Sequence, residues 1–160
     1  NGAGGEAGHI KVEKNGKLCG CGQSGCWEAY ASATGLIREA NSRLTVNKSN
    51  LLYERTEGRE LEAKDIFDAA KDGDEFSLKL VDYEADYIAL GLGNLLNILD
   101  PEIVVIGGGV ALSGSILFDR VNKKLNEYAL SSVLEGLKIV SAELGNDAGI
   151  IGAAYLGMNE

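Results

Sequence analysis

The sequence predicts an α/β layer fold on three observations: a continuous β-branched run at Ile103–Ile106, a long apolar repeat of helical period before it, and a glycine turn after it. Taken in order, Ile10-Lys11-Val12-Glu13 reads as a short strand ended by the turn dipeptide Asn15-Gly16. Trp27 to Leu44 is Ala-rich and helix-compatible, with an interruption at Gly35. Residues 45 to 62 are polar and mixed, a loop or an insertion, and Ala63 to Lys71 is a short helix. From Asp74 to Leu99 apolar side chains recur at Leu80, Tyr83, Tyr87, Leu90, Leu95, Leu96 and Leu99, and Asp100-Pro101 stops that helix. Ile103–Ile106 is too short for a helix and reads as a buried strand. Ser115 can cap a helix carrying Leu117, Val121, Leu125 and Tyr128 on one face. Leu137 to Val140 is a second strand. Asn146-Asp147 caps a closing helix, Ala148 to Leu156, whose small residues suit tight packing. The order strand, long helix, strand, turn, helix, strand, helix contains no internal repeat.

With 160 residues the chain can bury the core of one domain, and 45% hydrophobic against 24% charged residues places it among soluble globular folds. A net charge of −9 argues against nucleic acid or a membrane surface as a partner of this region. Nothing spans a bilayer, since no apolar run reaches about 18 residues. The opening Asn1-Gly2-Ala3-Gly4-Gly5 lacks Met, a charged leader and an apolar leader, which suggests a piece excised from a longer polypeptide. Three cysteines, an odd number, fit a disulfide framework poorly. All lie within Cys19-Gly20-Cys21-Gly22-Gln23-Ser24-Gly25-Cys26 and read as a metal site in a reducing cytoplasm.

His9, the only histidine, lies ten residues before Cys19 and completes a Cys3His set suited to tetrahedral Zn²⁺, with Zn–S near ~2.3 Å. The short Cys19-X-Cys21 spacing needs a sharp bend, which the interleaved glycines permit. Four protein ligands, His9, Cys19, Cys21 and Cys26, leave no open position, so the zinc is expected to be structural. Free loop thiols, or a disulfide from Cys26 to Cys19 or Cys21, are the other readings, and both leave His9 without a role. Glu6 and Glu28 flank the cluster. Held in fixed directions, two carboxylates can accept hydrogen bonds from adjacent hydroxyls of a neutral polyol, and the metal-free ring nitrogen of His9 can donate one. As solvated surface glutamates they would do nothing of the kind.

Gly5-Glu6-Ala7-Gly8-His9, followed by the Cys19–Glu28 stretch, resembles the signature of the ROK family of repressors, open reading frames and sugar kinases. Ala31-Ser32-Ala33-Thr34-Gly35 resembles its bacterial glucokinase branch, and Asp100 to Val110 its second nucleotide-side segment. The resemblance implies an actin-like ATPase (ribonuclease H-like) fold. Residues 1–160 would then form a single C-terminal sugar- and zinc-binding domain, without the N-terminal ATPase half. It implies that Glu6, His9 and Glu28 bind sugar hydroxyls, and that Gly107, Gly108 and Gly109 let the backbone approach the adenosine of ATP. A glycine turn after a buried strand suits that role on its own chemistry, and suits a plain strand-to-helix turn equally.

What is missing matters as much. The family's phosphate-binding Asp-X-Gly-Gly-Thr motif and its catalytic Asp, expected upstream, are not in this sequence. The expectation is a hexose kinase whose intact form uses Mg²⁺ and ATP, with glucose first among substrates and N-acetylmannosamine, N-acetylglucosamine or fructose behind it. This stretch alone would be inactive. A sugar-responsive repressor of the same family is the rival, and dimers or tetramers are the family habit.

Overall fold

The computed structural model describes residues 4–108, 113–143 and 147–158. Two single 3₁₀ turns, Ala7–His9 and Trp27–Ala29, open it. Then come α1 (Ala33–Leu44), α2 (Leu51–Thr56), α3 (Ala63–Lys71), α4 (Glu75–Leu99), β1 (Ile103–Ile106), α5 (Ser115–Tyr128), α6 (Ser131–Leu134), β2 (Lys138–Ser141) and α7 (Ala148–Met158). None of the described helices is long and apolar enough to cross a membrane.

Helix α4 is the spine. The Asp74 carboxylate accepts from the Ser77 amide at 3.0 Å to start it, and Asp100 ends it in the left-handed region with its N–H on the Leu96 carbonyl. Between these ends Leu80, Val81, Ala85, Ile88, Ala89, Leu92 and Leu96 are buried against α1, α3 and α5. Helix α5 lies along it through buried Leu117, Val121 and Leu125. Arg120 to Asp82 at 2.7 Å and Lys124 to Asp86 at 2.8 Å rivet the rim. β1 and β2 run parallel, Ile103 beside Lys138 through Ile106 beside Ser141, with α5 and α6 in the crossover.

Several expectations change. Ile10–Glu13 forms no strand: Val12 and Glu13 both donate to the Gly25 carbonyl, and the pairing shrinks to isolated bridges Lys11–Cys26 and Leu18–Ser24. The break before α1 falls at Ser32, whose hydroxyl accepts from the Gly35 amide, so Gly35 lies inside the helix. Residues 45–62 contain α2, started by Asn50 accepting from the Tyr53 amide at 2.8 Å. Gly114, at φ +72°, takes the cap position expected of Ser115, which is the first helical residue. Among the described residues the strands are covered on one side only, not buried as expected; Ile103 and Val105 are exposed. Asn146 lies outside the described residues.

Candidate metal centre and sugar-side wall

The cluster is assembled by backbone turns before any side chain is considered. Cys19 and Gly22 close one turn (Gly22 N–H to Cys19 carbonyl, 3.0 Å), and the Cys19 amide reaches the Gln23 carbonyl at 2.8 Å. Gly25 is held between Lys17, whose carbonyl accepts its amide, and Glu13; it adopts φ +79°, and a Cβ there would stand 1.8 Å from the Glu13 carbonyl oxygen. Only glycine fits that crossing. The Trp27 amide on the Ile10 carbonyl (2.9 Å) brings the His9 turn beside Cys26.

The four candidate ligand atoms of His9, Cys19, Cys21 and Cys26 consequently all lie within 4.8 Å of one another. His9 Nδ1 to Cys19 Sγ is 3.7 Å, and Cys21 Sγ to Cys26 Sγ is 3.7 Å. Those spacings match the edge of a tetrahedron with bonds of ~2.3 Å, which is about 3.8 Å. All three thiols are free, and 3.7 Å is far outside disulfide bonding. Donor type, number and spacing therefore fit a tetrahedral zinc ion. Nδ1 is the nitrogen that faces the sulfurs, leaving Nε2 outward, 3.8 Å from Glu6.

Charge around the cluster is specific. Lys11 Nζ donates to Cys26 Sγ at 3.1 Å. Cys19 donates to Glu28 Oε1 at 2.9 Å, and that carboxylate pushes the thiol up to about 12. The Gln23 amide, and Cys19 after it, lower the exposed Cys21. Glu28 Oε1 is also 3.8 Å from His9 Nδ1, so each ring nitrogen of His9 has a carboxylate nearby, Glu6 at Nε2 and Glu28 at Nδ1.

The predicted sugar residues are thus brought together, on a wall that is open: the side chains of Glu6 and Glu28 are 71% and 45% exposed. A cavity of about 320 Å³ adjoins Glu28 and Cys19 and is lined further by Ser32, Thr34 and Arg38. A larger one, about 520 Å³, lies at the start of the two strands, between Pro101 and Ser132, and contains no predicted site residue. Gly107 and Gly108 follow β1 as expected, Gly108 at φ +76°; Gly109 lies outside the described residues.

Two residues that sequence reasoning passes over stand behind the cluster. Lys17, two residues before Cys19, sends its side chain away from the ligands into a group of tyrosines. Glu84 is fully buried on α4 with neither carboxylate oxygen hydrogen-bonded, and burial raises it well above the usual carboxylate range, partly opposed by Lys17. A glutamate at a core position of the α4 repeat is the signal that marks Glu84; nothing in the sequence marks Lys17.

The converged histidine and cysteines, the carboxylates beside them and the strand followed by a glycine turn sit in the actin-like ATPase fold of ROK sugar kinases, and the chain belongs to the ROK family, whose pattern it matches across residues 1–160. It is 44% identical over 98% of its length to a glucokinase of Halalkalibacterium halodurans, covering 48% of that protein. It is similar in fold to a ROK glucokinase from Streptomyces griseus solved with glucose and AMPPNP (TM-score 0.82, 34% identity, 94% of this chain and 50% of the other). A ROK-family transcriptional regulator is similar too (TM-score 0.75, 28% identity, 84% of this chain and 33% of the other). The chain spans about half the length of the curated relatives it matches.

Proposed function

We propose that this chain is the C-terminal, zinc-carrying and sugar-binding domain of an ATP-dependent hexose kinase, with glucose as the first substrate. The observation that carries the reading is the convergence of the four candidate ligand atoms within 4.8 Å, with Glu6 and Glu28 each 3.8 Å from a ring nitrogen of His9. The likeness to a glucokinase solved with glucose and AMPPNP supports the choice of sugar and nucleotide.

His9 Nδ1, Cys19, Cys21 and Cys26 would hold the zinc. When bound it supplies a fixed tetrahedral node rather than a reactive water, because no coordination position is left over. Three thiolates against a dication leave one negative charge, and the Lys11 ammonium on Cys26 offsets it. As a thiolate, Cys19 has no proton to give Glu28, so Glu28 becomes an open acceptor. Glu6 and Glu28 then accept from sugar hydroxyls and His9 Nε2–H donates to a sugar oxygen, turning one hydroxyl toward the γ-phosphate. Gly107 to Gly109 would allow the adenosine close to the backbone. Phosphoryl transfer itself relies on Mg²⁺ and on an acceptor carboxylate from outside this sequence, with positioning as the main contribution of the residues here.

A coupled ADP-release assay on the full-length protein, with glucose, N-acetylmannosamine, N-acetylglucosamine and fructose offered separately, tests the reading. Strong turnover with glucose is expected. No turnover with any of them would replace it with a sugar-sensing regulator using the same three residues, the second reading that the likeness to a ROK regulator favours.

A further inference from the structure

We infer that Lys17 is a positioning residue for the metal centre: its tether to α1 and α4 holds the chain entering Cys19 in ligand geometry before any metal arrives. The inference rests on the zinc reading above. His9 and Cys19 are separated by a stretch without helix or strand, so something must fix where Cys19 begins. Lys17 is gripped at every polar atom it has. Its amide donates to the Tyr30 hydroxyl at 2.6 Å, and its carbonyl accepts from Gly25 at 2.8 Å. Its ammonium donates to the Tyr83 hydroxyl at 2.7 Å and to the Glu39 carboxylate. It also lies 5.1 Å and 5.0 Å from the centres of the Tyr30 and Tyr83 rings, within cation–π range.

The far end of the tether is rigid. Arg43 holds the other oxygen of Glu39 at 2.8 Å. Burial alone would raise Glu39, but the Lys17 and Arg43 hydrogen bonds outweigh it and keep the carboxyl below its usual range, so the pair is charged. Tyr30 is buried in one small core with Cys19 and Cys26, stacked on Tyr87 of α4 at 4.4 Å. The aromatic floor beneath the sulfurs is therefore the same one that grips Lys17. A site ordered in advance loses less conformational freedom on binding, and that difference appears as affinity.

The test is zinc affinity of the full-length protein, measured by competition with a chromophoric chelator. Lys17→Met keeps the aliphatic stem and removes the charge; it should weaken zinc binding by about tenfold or more, as loss of an outer support does elsewhere. Lys17→Arg should recover most of that loss. Glu39→Gln should weaken binding in the same direction, and it carries the test should Lys17→Met not fold. Ile66→Val, a core change in α3 outside the loop cluster, should lower thermal stability and leave zinc affinity unchanged. Unchanged affinity in Lys17→Met and in Glu39→Gln would overturn the positioning role while leaving the zinc site standing. Failure of the unmodified protein to take up one zinc per chain would overturn both.

Discussion

Around Cys26 the chain packs sulfur, aromatic rings and a charge-paired ammonium together, while around Val105 it leaves branched aliphatic side chains in solvent; Cys26 is 0% exposed and Val105 60%. The cysteine cluster is braced by residues of this chain. Its turns, the Tyr30 floor, the Lys17 tether and the Trp27 indole on the Tyr87 carbonyl (2.6 Å) all come from this chain. In the sheet Ile103 and Val105 of β1 and Val140 of β2 are exposed, and in α7 so are Ile150, Ile151, Tyr155, Leu156 and Met158. Parallel strands are ordinarily covered on both faces. Ligand geometry must be fixed locally and to a fraction of an ångström, so it is written into neighbouring residues, whereas a strand's apolar run says nothing of what will lie over it.

Removing the metal end's centre should break the contrast most. Cys26→Ser, or prolonged chelation of the unmodified protein, should cost about 4 kcal/mol or more, the range of lost metal sites. Denaturant unfolding with metal analysis checks it, and a fully stable metal-free protein would show that the node is dispensable. A paired substitution compares a packed with an exposed helical glycine. At Gly91 an added Cβ would stand 2.1 Å from the Trp27 ring, so Gly91→Ala should destabilise by about 1–3 kcal/mol. Nothing lies within 4 Å of a Cβ at Gly152 in α7, so Gly152→Ala should stabilise by about 0.5–1 kcal/mol through helix propensity. Melting curves of the 160-residue chain carrying each change decide whether the two helical positions differ as described.

An effect of similar size sharpens the account of α4. Glu84 has a raised pKa in the fold, so the stability it permits is fully present below about pH 4.3 and is lost as pH rises toward its folded value. Glu84→Leu removes the unpaired buried carboxyl and should stabilise by about 1 kcal/mol near neutrality, with a gain that grows from pH 4 upward. A gain that stays flat with pH would mean that Glu84 finds a partner when ionised.

Much of this was legible. The convergence of His9 with the three cysteines, the acids beside them, α3 and the long α4 follow from spacing and period because each depends on residues close in sequence. The Ile10–Glu13 strand failed because Gly25 draws both amides onto one carbonyl, a demand of the metal loop that alternation cannot reveal. Helix α2 was missed although Asn50 announces its start; six polar-rich residues give too short a period to read. Lys17 was illegible for a different reason: its partner Tyr83 comes from far along the chain, whereas Glu84 could have been found as a glutamate at a core position of the α4 repeat.

The sole tryptophan of the sequence sits directly after Cys26, its indole N–H on α4 and its ring over Gly91. Tyr30, Tyr83 and Tyr87 lie in the adjoining cluster. The centre therefore carries a built-in optical probe with its own excitation-energy donors. Opening of the metal loop would change the emission colour and intensity of a single fluorophore, and occupancy could be followed in real time without attaching a label.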